Sequence, residues 1–342
     1  QLVELLEGES RLTLIVAGRA LEKAKAFCKA RGATQAELMP ARFDREHAPE
    51  EQLRALAPDL VVDASGPFQA YGEQAYGFVQ ACIEQQIHYL DLADGSDFVA
   101  GITVCDARAR EAGVFALSGV STFPVLTAAA VRHLSRNMRR IDHIRGGIAP
   151  SPYAQVGENV IRAIASYAGK PVRLRRNGTT GFAHPFTEQA YFIVAPPGSV
   201  PLKRTLFSLV DVPDLCLLPE LWPEVKSVWM GAGPVPRVLH RALIGFSWLV
   251  RLKLLPSLSP LAPLMVRAIN RIRWGEHRGG LIVEIQGENV EGQNVTRSWH
   301  LVAEGDDGPF IPSMAVAALV GKLLAGRPPR SGARAALNEL EL

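Results

Sequence analysis

The chain has 342 residues, of which 48% are apolar, and a formal net charge of +3. That is length for two domains and enough apolar residue for full cores, and so small a charge gives no general case for nucleic acid. Its four cysteines, Cys28, Cys82, Cys105 and Cys216, are scattered without a Cys-x-x-Cys pair, which argues against a zinc site and a disulfide framework and fits a reducing, cytoplasmic setting.

The chain opens in mid-helix, with Gln1-Leu2-Val3-Glu4-Leu5-Leu6 already at helical spacing and Gly8 as a stop signal. No Met starts it, which reads as a fragment whose first strand lies upstream. Leu12 to Val16 is a β-branched and leucine run, a buried strand, ending in Ala17-Gly18-Arg19. Leu21 to Ala30 reads as a helix closed by Gly32. Glu37 to Phe43 reads as a strand ending at Asp44, and Pro49 opens a helix through Leu56.

Leu60 to Asp63 ends another buried strand, and a small-residue corner follows, Ala64-Ser65-Gly66-Pro67. Glu73 to Gln85 then has helical spacing. Strand, turn and helix make half of a β-α-β unit, and in an open parallel sheet ligands sit beyond the carboxyl ends of the strands. A corner of Ala, Ser and Gly leaves room for a ring on the backbone, and Pro67 stiffens it. A tight strand-to-helix turn with nothing bound is the other reading. His88 to Leu92 is the next strand, Ile102 to Ala112 a helix, and Val114 to Leu117 a strand. This alternation means a doubly wound α/β sheet.

A dinucleotide fold places Gly-x-Gly-x-x-Gly between its first strand and first helix. The sequence contains no such motif. Arg19 directly follows a strand, where an acidic residue would select a free ribose 2′-hydroxyl and an arginine suits a 2′-phosphate. A solvated surface arginine is the alternative.

Val-Ala-Gly-Arg at 16–19, Val-Val-Asp-Ala-Ser-Gly-Pro-Phe at 61–68, His-Tyr-Leu-Asp-Leu at 88–92, and Gly119 to Pro124 come in a shared order and spacing. Together they resemble the saccharopine dehydrogenase-like oxidoreductases, over about the first third of the chain. The resemblance implies a Rossmann domain that binds NADP, with NAD the lesser expectation. Its expected cofactor-binding set here is Gly18, Arg19, Asp44, Ala64, Ser65, Gly66, Pro67 and Phe68, with Arg19 near the 2′-phosphate. It also implies a second α+β domain, inserted before a C-terminal segment that returns to the first. Two departures bear on substrate. Gly119-Val120-Ser121-Thr122-Phe123-Pro124 stands where many relatives have Gly-x-Asp-x-x-Pro, and Ala93-Asp94-Gly95 where many have Thr-Gly-Glu. The amino-acid substrate of the name-giving enzymes is therefore not carried over.

The expected domains are 1–130 for the nucleotide, 131–308 for substrate or dimerisation, and 309–342 as the returning segment. Thr127 to Leu134 reads as the helix leaving the first domain. Ile141 to Ile148 starts the second sheet, Asn159 to Ala168 is helical, and Pro171 to Arg175 and Gln189 to Val194 are extended. Leu281 to Gly287 and Thr296 to Ala303 alternate around turn residues 288–294, a β-hairpin. Asp306-Asp307-Gly308-Pro309 breaks the chain before an apolar helix, Pro312 to Leu324.

Residues 237–278 hold eight Arg or Lys against one acid, Glu276, for a formal charge of +7. Leu243, Ile244, Phe246, Trp248, Leu249 and Val250 lie between the charges. The uncharged run Leu254 to Val266 carries three prolines and is too short to span a bilayer. A basic, aromatic-bearing amphipathic segment can lie on a membrane surface; a pair of core helices with a solvated basic face is the alternative.

No nucleophile elbow, P-loop, metal-binding helix or paired-carboxylate motif occurs, so no metal is expected. Hydride transfer needs positioning and one proton donor or acceptor. Tyr89, Asp91, Asp94, Ser121, Tyr153 and His184 are candidates with no choice among them, and Asp91 has a capping role open to it as well. Two classes of function remain. One is an NADP-dependent oxidoreductase acting on an apolar, lipid-derived substrate. The other is a non-catalytic, membrane-associated protein that keeps the Rossmann scaffold. The expected partners are a small-molecule substrate, a membrane surface met through 237–278 and a second copy of the chain.

Overall fold

The computed structural model describes residues 1–154, 157–233, 236–272, 274–305 and 307–342. Asp306 of the predicted chain break and Arg273 of the basic segment lie outside these residues. Helix α1 (Leu2–Leu6) leads into β1 (Thr13–Gly18), α2 (Leu21–Arg31), β2 (Glu37–Arg42), α3 (Pro49–Leu56) and β3 (Leu60–Asp63). The predicted helix from Glu73 begins only at Gly77, as α4 (Gly77–Glu84), behind two 3-10 turns at Phe68–Ala70 and Gly72–Gln74. The Phe68 and Tyr76 rings each lie 5.0 Å from that of Phe98, and this packing keeps the segment in tight turns. Then come β4 (His88–Asp91), α5 (Ser96–Gly101), α6 (Asp106–Glu111) and β5 (Phe115–Ser118). The helix predicted over Ile102–Ala112 is interrupted by a 3-10 turn at Ile102–Cys105, where consecutive β-branched side chains crowd the preceding turn.

Helix α7 (Thr127–Leu134) crosses the predicted boundary at residue 130 and delivers the chain to β6 (Met138–Ala149) and α8 (Glu158–Tyr167). A hairpin follows, β7 (Val172–Arg176) and β8 (Thr179–Ala183), then β9 (Gln189–Phe192), β10 (Thr205–Leu209), α9 (Asp214–Leu221) and β11 (Ser227–Ala232). The basic segment folds as α10 (Arg237–Arg251) and α11 (Ala262–Arg271). The predicted hairpin is β12 (Gly279–Asn289) and β13 (Asn294–Ala303), and α12 (Ile311–Leu324) leads to β14 (Gly332–Ala335). One six-stranded mixed sheet, β13-β12-β6-β11-β10-β9, organises the second domain.

The N-terminal domain holds two parallel sheets, β1-β2 and β14-β5-β4-β3, the last strand of the chain joining β5. One face of the larger sheet packs Leu90, Phe115 and Leu117 under Val316, Leu319 and Val320 of α12. The other packs Tyr89 and Ala116 under Val79, Cys82 and Ile83 of α4. Helices on both faces are the doubly wound arrangement. Among the described residues β1 pairs only with β2, and β3 only with β4. Their free edges are separated by one cavity, at the position where this fold has its first strand. Leu14 to Val16 and Leu60 to Val62, read from sequence as buried, are therefore half-buried.

Candidate functional site

The cavity between the two sheets measures about 530 Å³. Its floor is the facing strand edges, with Ile15 and Ala17 from β1 and Leu60 to Val62 from β3. Its rim is the carboxyl ends of the strands, the usual place for a ligand in a parallel sheet. Six of the residues expected from sequence meet there: Gly18 and Arg19 after β1, Asp44 after β2, and Ala64, Ser65 and Gly66 after β3. Arg19, Ala64 and Ser65 are exposed, so the rim is open to a ligand. The other two are not among the lining residues. Phe68 is buried against Phe98 as part of the core, and Pro67 only carries the chain toward it; bulk and apolarity drew Phe68 inward.

The lining residues not singled out from sequence include Arg45, Asp63, Tyr71 and Asn159. The Arg45 guanidinium donates to Asp63 Oδ2 at 2.8 Å and to Ser65 Oγ at 3.1 Å, and lies 3.7 Å over the Tyr71 ring. Asp63 Oδ1 accepts from the Ser65 backbone N–H at 2.9 Å and its hydroxyl at 2.6 Å. The Tyr71 hydroxyl is 2.9 Å from Ser65 Oγ. Burial pushes the Tyr71 phenol up, while the Ser65 hydroxyl pulls it down. Asp63 and Arg45 are both well buried, with side chains 3% and 15% exposed. Such a pair is retained only when its remaining polar groups are satisfied; on the Asp63 side Ser65 and the Tyr89 hydroxyl do this. The signal in sequence was adjacency alone: Arg45 follows Asp44, and Asp63 and Tyr71 flank the corner. From the second domain, the Asn159 amide at the start of α8 donates to the Ser65 carbonyl at 3.0 Å. Nothing local to residue 159 signals that contact.

None of the six proton-transfer candidates lines the cavity. Tyr89 is fully buried, its hydroxyl 3.3 Å from Asp63. Asp91 Oδ1 accepts from the Ala93 and Gly119 backbone N–H groups at 3.0 and 2.7 Å and from Ser118 Oγ at 3.0 Å, tying the end of β4 to that of β5. Asp94 accepts from the Gln69 amide at 3.0 Å. Ser121 is half-buried. The Tyr153 ring stacks on His277 at 3.5 Å. His184 is half-buried, and burial lowers its pKa.

The cavity suits the nucleoside part of a dinucleotide, with small residues at the corner and an exposed arginine at the rim. What its residues do not supply is a glycine turn for the pyrophosphate. Residues 1–117 match the family model of the saccharopine dehydrogenase NADP binding domain. All of the cavity's lining except Asn159 lies within the matched residues, and the match supports an oxidoreductase. Over 98% of this chain and 91% of the other, the structure is similar to an apo saccharopine dehydrogenase (L-Glu forming) from Saccharomyces cerevisiae, at 13% identity and a TM-score of 0.66. At that identity the likeness shows the fold. A meso-dapdh mutant with DAP from Clostridium tetani aligns over 96% of this chain and 94% of its own, at 12% identity and a TM-score of 0.42. A search of the curated proteins returns no match.

Proposed function

We propose that this protein moves a hydride between NADP and an apolar, lipid-derived compound bearing a carbonyl, imine or enoyl group. The observation that carries the nucleotide half is the meeting of Gly18, Arg19, Asp44, Ala64, Ser65 and Gly66 on one cavity, inside an NADP binding domain. Preference for NADP over NAD rests on Arg19, whose guanidinium suits a 2′-phosphate. The apolar class of the substrate rests on the second domain, where α11 packs on α8 and presents Leu264 to solvent.

The nicotinamide nucleotide supplies the hydride. Gly66 and Ala64 leave the corner low enough for a ring to approach the backbone. Asn159 closes the cavity from the second domain and pins the Ser65 carbonyl. Tyr71 is the proton donor that the geometry offers. The Arg45 cation over its ring favours the phenolate left behind, against the burial that pushes the Tyr71 phenol up.

The test is NADPH oxidation against a panel of apolar ketones, imines and enoyl compounds. Turnover of at least one is expected, with Tyr71→Phe lowering kcat by about 10²-fold or more and leaving nucleotide affinity unchanged. Nucleotide binding without turnover of any compound would instead favour the non-catalytic class.

A further inference from the structure

Helix α10 turns an apolar stripe to solvent. Val238, Ala242, Gly245, Leu249 and Leu252 follow one another along one side at helical spacing, and Val238 and Leu252 are 54% and 60% exposed. Phe246 and Trp248 flank the stripe and are also exposed. The opposite side of the helix holds it in place. His240 is buried with Nε2 2.8 Å from Ser208 Oγ, and Ser247 and Val250 press on Gly169 so closely that a Cβ there would collide. Leu254, Leu264, Ile272 and Trp274 continue the exposed apolar residues beyond α10. Among the described residues, eight of the nineteen exposed large apolar side chains thus fall within residues 237–278, whereas exposed apolar residues of a soluble domain are ordinarily scattered singly.

The charge on this segment has one sign. Arg237, Arg241, Lys253, Arg267 and Arg271 are exposed, and its one acid, Glu276, is paired with Arg278. Arg251 leans on the Trp248 ring at 4.6 Å. No helix among the described residues is long and apolar enough to cross a membrane. We propose that α10 and the turn after it dock on the surface of an anionic lipid bilayer, the stripe at the acyl boundary and the basic side chains among the headgroup phosphates. A second copy of the chain fits this face poorly. A two-fold interface sets a patch against itself, and here it would oppose the same basic segment with no free acid to pair it. The inference stands whether or not the protein turns over a substrate. If it does, docking brings the bilayer close to the cavity, because α11 packs on α8 and α8 contacts the corner through Asn159.

The experiment is co-sedimentation of the chain with vesicles of phosphatidylcholine alone and of phosphatidylcholine with phosphatidylglycerol, at low and high salt. The chain is expected to pellet only with the anionic vesicles, and to be released by salt. Arg241→Glu with Lys253→Glu should weaken binding at least ~10-fold. Val238→Ser with Leu252→Ser should weaken it with every charge kept. All four positions are exposed, and circular dichroism checks that these variants fold. Three outcomes would overturn the proposal: no pelleting with either vesicle, equal pelleting with both, or a dimer in solution that Leu252→Asp dissociates.

Discussion

Asp91 sits at the end of β4, with one carboxylate oxygen accepting three hydrogen bonds and the other buried without a partner. Burial pushes its carboxyl up to about 7, and those of Asp214 and Asp211 up to about 7 and about 6. An unfolded aspartate titrates at about 3.9. Between these values the folded chain keeps protons that the unfolded chain has released, so the stabilisation is full below about pH 4 and lost as pH rises to about 7. Carboxylates held low, such as Glu9 beside Arg11, lose their contribution only as pH falls below about 4, so the two windows do not overlap. Buried histidines held low work the other way below about pH 6.5, among them His240 at about 4, but the three aspartates outweigh them, and the melting temperature should fall from pH 5 to pH 8. Asp91→Asn keeps the acceptor, removes the titration and should flatten the slope. A melting temperature that rises over that range would show that these three carboxyls are ionised throughout. From sequence Asp91 carried both a general-base and a helix-capping reading; in the structure its carboxyl accepts from Ala93, Ser118 and Gly119, the last 28 residues away, a contact neither reading contains. Arg19 was legible because its position after a strand has chemical meaning. Arg45 was not, because its meaning comes from Asp63 and Ser65 across the cavity.

At the level of elements, hydrophobic period and turn residues gave most of the parallel strands and helices to within a few residues. The hairpin of β7 and β8 was also present in sequence, in Asn177-Gly178. Both residues take positive φ, 50° and 79°, as a two-residue hairpin turn needs, yet only its first strand was read. The 3-10 turns after the corner were not legible, since they follow from Phe68 and Tyr76 packing on Phe98. The facing edges of β1 and β3 carry the next expectation. Residues 1–342 lack a glycine turn at the pyrophosphate position, and each lost hydrogen bond to a charged group costs about 1.5–3 kcal/mol. Calorimetry should find weak NADPH binding. Supplying a strand and a Gly-x-Gly-x-x-Gly turn ahead of residue 1 should tighten it by about 10²-fold or more. Low-micromolar binding by residues 1–342 would show that the cavity holds the nucleotide by other contacts.

Across the whole molecule, the two domains share one apolar core. Phe68 and Phe98 from the first pack in the same cluster as Ile144, Leu215 and Leu218 from the second. The chain also returns at its end to lay β14 beside β5, which fastens the second domain to the first at both of its ends. The touch of α8 on the corner depends on tertiary packing that periodicity does not encode. This contact joins the cavity to the domain that bears the basic apolar face, so the proposed nucleotide site and the proposed docking face belong to one body. The claim on which the rest depends is that the cavity binds a nicotinamide nucleotide with Arg19 on its 2′-phosphate. The most direct measurement is the ratio of NADH to NADPH dissociation constants before and after Arg19→Ala, in residues 1–342 and in the chain extended with the glycine turn. A charge-assisted pair of about 1.5–3 kcal/mol should make that ratio fall about ten- to hundredfold, with NADH affinity nearly unchanged; equal losses for both nucleotides, or none, would contradict it.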